Sequence, residues 1–211
     1  MDDMGYDIAD YFNIDPLFGS NADMDELIAT AKAWNISIVM DLVVNHTSDE
    51  HPWFIEARKG RDNPYRDYYI WHDPVDGGTP TTQRSFFLPS AWSLDSVSGQ
   101  YYYHAFSNRQ PDLNWENPQI LEEVYKIMNF WLAKGIAGFR MDVIELIGKI
   151  PLESKFTSPR VHELLKLIFK HTLANYEQTI SVGETGGASW TWSLGLSIWH
   201  KMKSLVNLNG I

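Results

Sequence analysis

Residues 36–45 (ISIVMDLVVN) constrain the fold more than any other stretch of the sequence. They are almost continuously apolar and β-branched, the pattern of a strand covered on both faces within a parallel sheet. Residues 136–144 (IAGFRMDVI) and 179–184 (TISVGE) repeat it in shorter form. Between them lie helical patterns with terminal signals. Asp23 is placed to cap the first, with Glu26 closing a capping box and Met24, Leu27, Ile28, Ala31 and Trp34 at helical spacing. The second opens on Asn117-Pro118 and stops at Gly135. Its buried stripe is Leu121, Val124, Ile127, Met128, Trp131 and Leu132. The third opens on Ser158-Pro159 and carries Val161, Leu164, Leu165 and Ile168. Alternating helix and strand is the rhythm of a parallel α/β protein.

Residues 47–106 break that rhythm. They hold many turn residues and 13 aromatics in 60 positions, against 14% aromatic for the whole chain. So long an interruption between strand and helix reads as an inserted functional subdomain. Composition removes several function classes. With no cysteine, disulfides, thiol nucleophiles and thiolate metal sites are excluded. A net charge of −10 argues against binding the phosphates of nucleic acid. No run approaches a membrane span and the first residues lack the pattern of a signal peptide, so a cytoplasmic protein without membrane partners is expected. No His or Cys pairs stand at zinc-ligand spacing, so neither metal nor cofactor is expected.

Each strand ends in polar residues: Asn45-His46 after the first, Arg140 and Asp142 on the second, Glu184 on the third. The C-terminal strand ends form the active rim of parallel α/β folds. Arg140 and Asp142 are two apart on a strand and so share a face, where the guanidinium favours the ionised carboxylate. Glu184 is expected on the neighbouring strand, kept protonated by apolar walls. One ionised and one protonated carboxyl is the pair that glycosidic cleavage requires. Taken singly, Arg140 and Asp142 read first as an ordinary ion pair, Glu184 as a solvent-facing acid and His46 as a satisfied histidine at a strand end.

In combination, residues 41–46 (DLVVNH), 138–142 (GFRMD) and 182–184 (VGE) resemble, in order, three signature segments of the α-amylase superfamily, glycoside hydrolase family 13. Residues 110–114 (QPDLN), 3–11 (DMGYDIADY) and 67–71 (DYYIW) resemble its oligo-1,6-glucosidase and dextran glucosidase branch. The resemblance implies a partial (β/α)8 TIM barrel, about strands 2–5, with an inserted aromatic-rich subdomain after strand 3. The implied layout is partial barrel over 1–46, subdomain over 47–106, partial barrel over 107–186 and an atypical tail over 187–211. It implies Asp142 as the nucleophile of a retaining reaction and Glu184 as its acid and base, with carboxyls ~5–5.5 Å apart. Arg140 would orient Asp142. Asp3, Tyr6 and His46 would hold the glucose, while Phe87, Phe106 and Gln110 would line the pocket. The implied substrate is an oligosaccharide. Val143, after the nucleophile, resembles branch members that cut α-1,6 links. Alternatives are an α-1,4-glucosidase, a glucosyl-transferring or isomerising enzyme, an amylase-like scaffold of transporter heavy subunits, or a non-catalytic remnant.

Such a barrel takes ~250 residues before insertions. At 211 residues including the insertion, this chain reads as a fragment lacking the family's third carboxylate, its calcium loop and several strands. Little turnover by the chain alone, and a frameshift or premature end in the gene as the origin of the tail, are the corresponding expectations.

Overall fold

The first helix is started by Ser20 rather than Asp23. In this computed structural model, which describes residues 3–185, Ser20 Oγ accepts from the Asp23 amide and Asp23 Oδ2 accepts from the Ser20 amide at 2.7 Å. Asp23 is thus the third-position partner of the capping box, and Glu26 has no place in it. Helix α1 spans Asn21–Ala33. The second major helix obeys its sequence signals. Asn117 accepts from the Gln119 amide, Pro118 takes the first position, and Gly135 ends the helix at φ 103°. Ile120, Val124, Ile127, Met128, Trp131 and Leu132 are buried along it, while Leu121 is only half-buried.

These helices pack on short parallel strands: β1 Val39–Leu42, followed after the insertion and helix Pro118–Lys134 by strands Gly138–Met141 and Ile180–Gly183. With β2 Trp71–His72, β3 Trp92–Leu94 and β4 Tyr101–Tyr103 intervening, they are β5 and β6, and the two long helices Pro118–Lys134 and Arg160–His171 are α3 and α4 behind a short α2, Pro52–Ala57. The parallel sheet runs β1-β5-β6. Leu42, Met141 and Gly183 are level with one another, so the residues that follow them emerge on one rim. Val161, Leu164 and Ile168 of α4 are buried, but Pro159 precedes this helix with no side-chain cap.

The described residues contain three parallel strands, not four. Residues expected to hold a strand before α1 form turns, with Met4 and Gly5 at positive φ and the Asp10 and Asp15 carboxylates accepting amides two residues on. Such Asx turns compete with a ladder. The first strand also ends earlier than its apolar run. Beyond Leu42, the Asn45 carbonyl accepts from Leu113 and the Thr47 amide reaches Pro111, so this backbone pairs with the 111–113 segment instead of β5. Within residues 47–106 lies an antiparallel sheet, β2-β4-β3. Its small core of Ala91, Trp92, Tyr103 and Ala105 also takes Leu146 from the segment after β5. The outer strands of the parallel sheet leave Val39, Ile180 and Val182 about two-fifths exposed, and Trp34 and Leu27 of the first helical region face solvent. Among the described residues no helix is long and apolar enough to cross a membrane. The tail expected from residue 187 lies outside the described residues.

Helix α2 carries a titrating cap. His51 Nδ1 accepts from the Trp53 amide at 3.1 Å, with its ring against Trp53 and Tyr11. Burial pushes the imidazole down to about 4, against the milder upward pull of Asp10. The unfolded chain therefore binds this proton first, and stability falls as pH drops from ~6.5 towards 4, by up to about 3 kcal/mol. Urea unfolding of His51→Asn, which keeps an acceptor at the cap, should show a flatter slope across that window. Parallel slopes in the two proteins would refute the assignment.

Candidate active site

The register of the parallel sheet sets Asp41 of β1 directly beside Arg140 of β5. Arg140 Nη1 donates to Asp41 Oδ1 and Asp142 Oδ1, each at 2.6 Å, while Nη2 lies 2.8 Å from Glu184 Oε2. One guanidinium thus joins three carboxylates from three adjacent strands. Tyr6 completes the group, its hydroxyl 3.5 Å from both Asp41 Oδ2 and Arg140 Nη1. The Asp41 charge raises the Tyr6 phenol above its ordinary range.

Asp142 is almost buried, and here the structure departs from the sequence reading. Burial raises its carboxyl to about 6, and the Glu184 charge adds to this, while Arg140 pulls the other way without prevailing. Glu184 is not enclosed by apolar walls. Its side chain is 46% exposed, and Oε2 accepts from the Val143 amide at 3.1 Å as well as pairing with Arg140. In this structure Asp142 is pushed towards its protonated form. Both carboxyls are paired to the one Arg140 guanidinium.

Val143 adopts φ 35°, ψ 41°, a left-handed conformation rare for a β-branched residue. That turn directs its amide at Glu184 and starts the 3₁₀ segment Ile144–Gly148.

These residues border a cavity of about 260 Å³. Asp3, Tyr6 and His46 line it, as do Arg140, Asp142, Val143 and Glu184 from the strand ends, with Phe87 and Phe106 opposite. Phe106 stands 5.4 Å from the His46 ring and 5.5 Å from Phe87. His46 is buried, and its Nε2 lies 2.8 Å from the Tyr6 carbonyl; burial lowers its pKa. Gln110 does not reach the cavity wall. It is buried behind it, with Nε2 donating to Asp3 Oδ2 at 2.9 Å. All nine site residues named from sequence therefore converge on one place, eight on the wall and Gln110 in support. Two carboxyls beside aromatic surfaces suit attack on a sugar acetal.

Sequence reasoning missed Asp41, although a charge inside an otherwise apolar strand is a visible signal. It also missed Lys149, whose ammonium meets Asp112 in the interior at 3.1 Å. A separate cavity of about 330 Å³ lies beside Arg61, Arg66 and Trp71, with Arg66 stacked 3.4 Å above the Trp71 ring. With Phe54 stacked on the same indole, that ring is already covered and packs the insertion.

Known proteins share this fold. The catalytic-domain pattern of alpha amylase matches residues 1–193. A glucan 1,6-alpha-glucosidase of Streptococcus dysgalactiae subsp. equisimilis is 56% identical over 90% of this chain and 34% of its own length. The crystal structure of Bacillus licheniformis trehalose-6-phosphate hydrolase superposes with a TM-score of 0.85 at 44% identity, covering 90% of this chain and 36% of that one. An isomaltulose synthase from Erwinia rhapontici NX5, solved with its natural substrate sucrose, gives 0.83 at 39%, covering 88% and 35%. The chain spans about a third of the length of the curated relatives it matches.

Proposed function

We infer that this chain, which belongs to the alpha-amylase catalytic-domain family, carries the nucleophile and acid–base pair of a retaining α-glucosidase acting on α-1,6-linked glucosides. The observation that carries the reading is the single guanidinium of Arg140 holding Asp142 and Glu184 at the ends of neighbouring strands, beside a cavity with aromatic walls. Residues 1–46 and 107–186 are read as barrel portions and 47–106 as the subdomain inserted between them. The relative named for 1,6-glucosidase activity and the presence of Val143 support the linkage.

In the proposed reaction an Asp142 oxygen attacks the anomeric carbon as the bond to the leaving oxygen breaks, and Glu184 gives that oxygen its proton. Water then attacks the same carbon, Glu184 takes the water proton, and the bond to Asp142 breaks. Asp3, Tyr6 and His46 hold the glucose. Phe87 and Phe106 pack on its C–H faces, and Gln110 fixes Asp3. Nucleophilic Asp142 must be ionised, so reactivity should fall as pH drops through about 6.

A fluorinated glucosyl fluoride tests this. One fluoroglucosyl mass should appear on the peptide containing Asp142 above pH 6 as anomeric fluoride leaves, weaken below it, and be absent from Asp142→Asn. Label on another residue, or label retained by Asp142→Asn, overturns the assignment. Likeness to the isomaltulose synthase favours a second reading, transfer of the glucosyl group to a sugar. Product analysis separates the two, because hydrolysis of isomaltose releases glucose alone whereas transfer yields new disaccharides.

A further inference from the structure

Behind the cavity, four polar side chains form a chain through the interior. Lys149 Nζ stands 3.1 Å from Asp112 Oδ2, and both side chains are at least 97% buried. The same Oδ2 accepts from Asn45 Nδ2 at 3.2 Å, while Asp112 Oδ1 accepts from the Ala105 amide at 2.9 Å. Asn45 Nδ2 also lies 3.1 Å from His46 Nδ1, and His46 Nε2 lies 2.8 Å from the Tyr6 carbonyl.

The donor and acceptor inventory orders this chain. An ionised carboxylate only accepts, so the amide nitrogen of Asn45, not its oxygen, must face Asp112. That nitrogen then offers its other proton to His46 Nδ1, which must accept, leaving the imidazole proton on Nε2 to donate to Tyr6 O. The opposite flip would set Asn45 Oδ1 against the carboxylate, tolerable only if Asp112 carried a proton. The arrangement has a visible cost, because Asn45 Oδ1 is buried without a hydrogen-bond partner. Gln110 Nε2 stands 3.1 Å from His46 Nε2, but its two protons have acceptors in Asp3 Oδ2 at 2.9 Å and the Tyr6 carbonyl at 3.4 Å, so it does not need a lone pair on Nε2.

We propose that Asp112, paired in the core with Lys149, is a positioning residue that fixes the Asn45 amide and through it the Nε2–H tautomer of His46. The functional meaning rests on reading His46 as a sugar-holding residue. With both ring nitrogens engaged, the imidazole is held in one orientation beside the cavity, and a carboxylate behind such a histidine commonly sets which nitrogen carries the proton. The Lys149 ammonium supplies the compensating charge that a carboxylate at this depth needs.

The test uses nitrogen NMR of the His46 ring in the free protein, which needs no catalysis, so its outcome is independent of the labelling experiment. The unmodified chain should show the Nε2–H tautomer alone. Lys149→Met removes the counterion and lets Asp112 take up a proton, and the Nδ1–H to Nε2–H ratio should rise about tenfold, the scale one hydrogen bond controls. Should that variant not fold, Lys149→Met/Asp112→Asn removes both charges together. The neutral amide that this double variant places beside Asn45 accommodates either Asn45 flip, so the same mixture is expected. An Nδ1–H tautomer in the unmodified chain, or a pure Nε2–H tautomer in a folded variant, overturns the proposal.

Discussion

Gly138→Ala should unfold the parallel sheet. Gly138 opens β5 at φ 148°, and a methyl group there would stand 1.7 Å from the Ile180 carbonyl oxygen and 2.8 Å from its carbon. Those are backbone atoms of the paired residue on β6, so no side chain can turn aside to make room. The ladder itself must open. Overpacking of this kind costs about 1–3 kcal/mol, each ladder bond lost about 1 kcal/mol more, and the backbone angle disfavours any Cβ. A total of about 4 kcal/mol is a large part of the 5–15 kcal/mol that holds a typical domain. Because β5 carries Arg140 and Asp142 and β6 leads into Glu184, the carboxyl pair should separate with the ladder. Urea unfolding followed by circular dichroism measures the loss. Gly60→Ala, where a methyl group meets nothing within 4 Å, serves as the control and should change stability by less than about 0.5 kcal/mol. Equal midpoints for the two variants would show that β5 and β6 are not coupled through this contact.

What was legible in the sequence follows from how local each signal is. Helix α3 was readable because its cap, first-turn proline and terminal glycine act on the backbone beside them. The strands were readable as apolar runs, but their ends were not. Residues 43–47 are more deeply buried than the strand before them, yet their backbone bonds to the 111–113 segment, a partner about 65 positions away. Ser20 escaped notice because Asp23 suits either capping role, and only geometry separates them. At the site, sequence order brought together the right residues without fixing their electrostatics. Arg140 beside Asp142 implied an ionised nucleophile, whereas burial of Asp142 and the nearness of Glu184 outweigh it. Spacing along one strand says nothing about a carboxylate arriving from the next. Nor could the sequence separate the Asp112–Lys149 pair from two surface charges, since burial is a property of the assembled layers.

The crowding of acids on Arg140 sets up the second large effect. Arg140→Met removes the cation common to Asp41, Asp142 and Glu184 and leaves three carboxylates facing one another. Asp142, already at about 6, loses the two influences that lower it, its hydrogen bond to Arg140 and the nearby positive charge. Its carboxyl should therefore rise further. A folded-state acid above its unfolded value holds its proton more tightly folded than unfolded, so stability is full at low pH and declines as pH rises through the folded value. The variant should lie close to the unmodified chain at pH 5 and fall below it by about 2 kcal/mol at pH 7, the scale of lost hydrogen bonds to a charged group. Asp142→Asn in the same background removes one of the three charges and should recover most of that loss. Urea unfolding at the two pH values, with a carbon NMR titration of the Asp142 carboxyl, measures both parts. An equal deficit at pH 5 and pH 7 would mean that Arg140 acts only by packing. If instead the deficit appears with ionisation, the same guanidinium that holds the sheet ends together also keeps Asp142 deprotonated enough to attack, and stability and reactivity share one side chain.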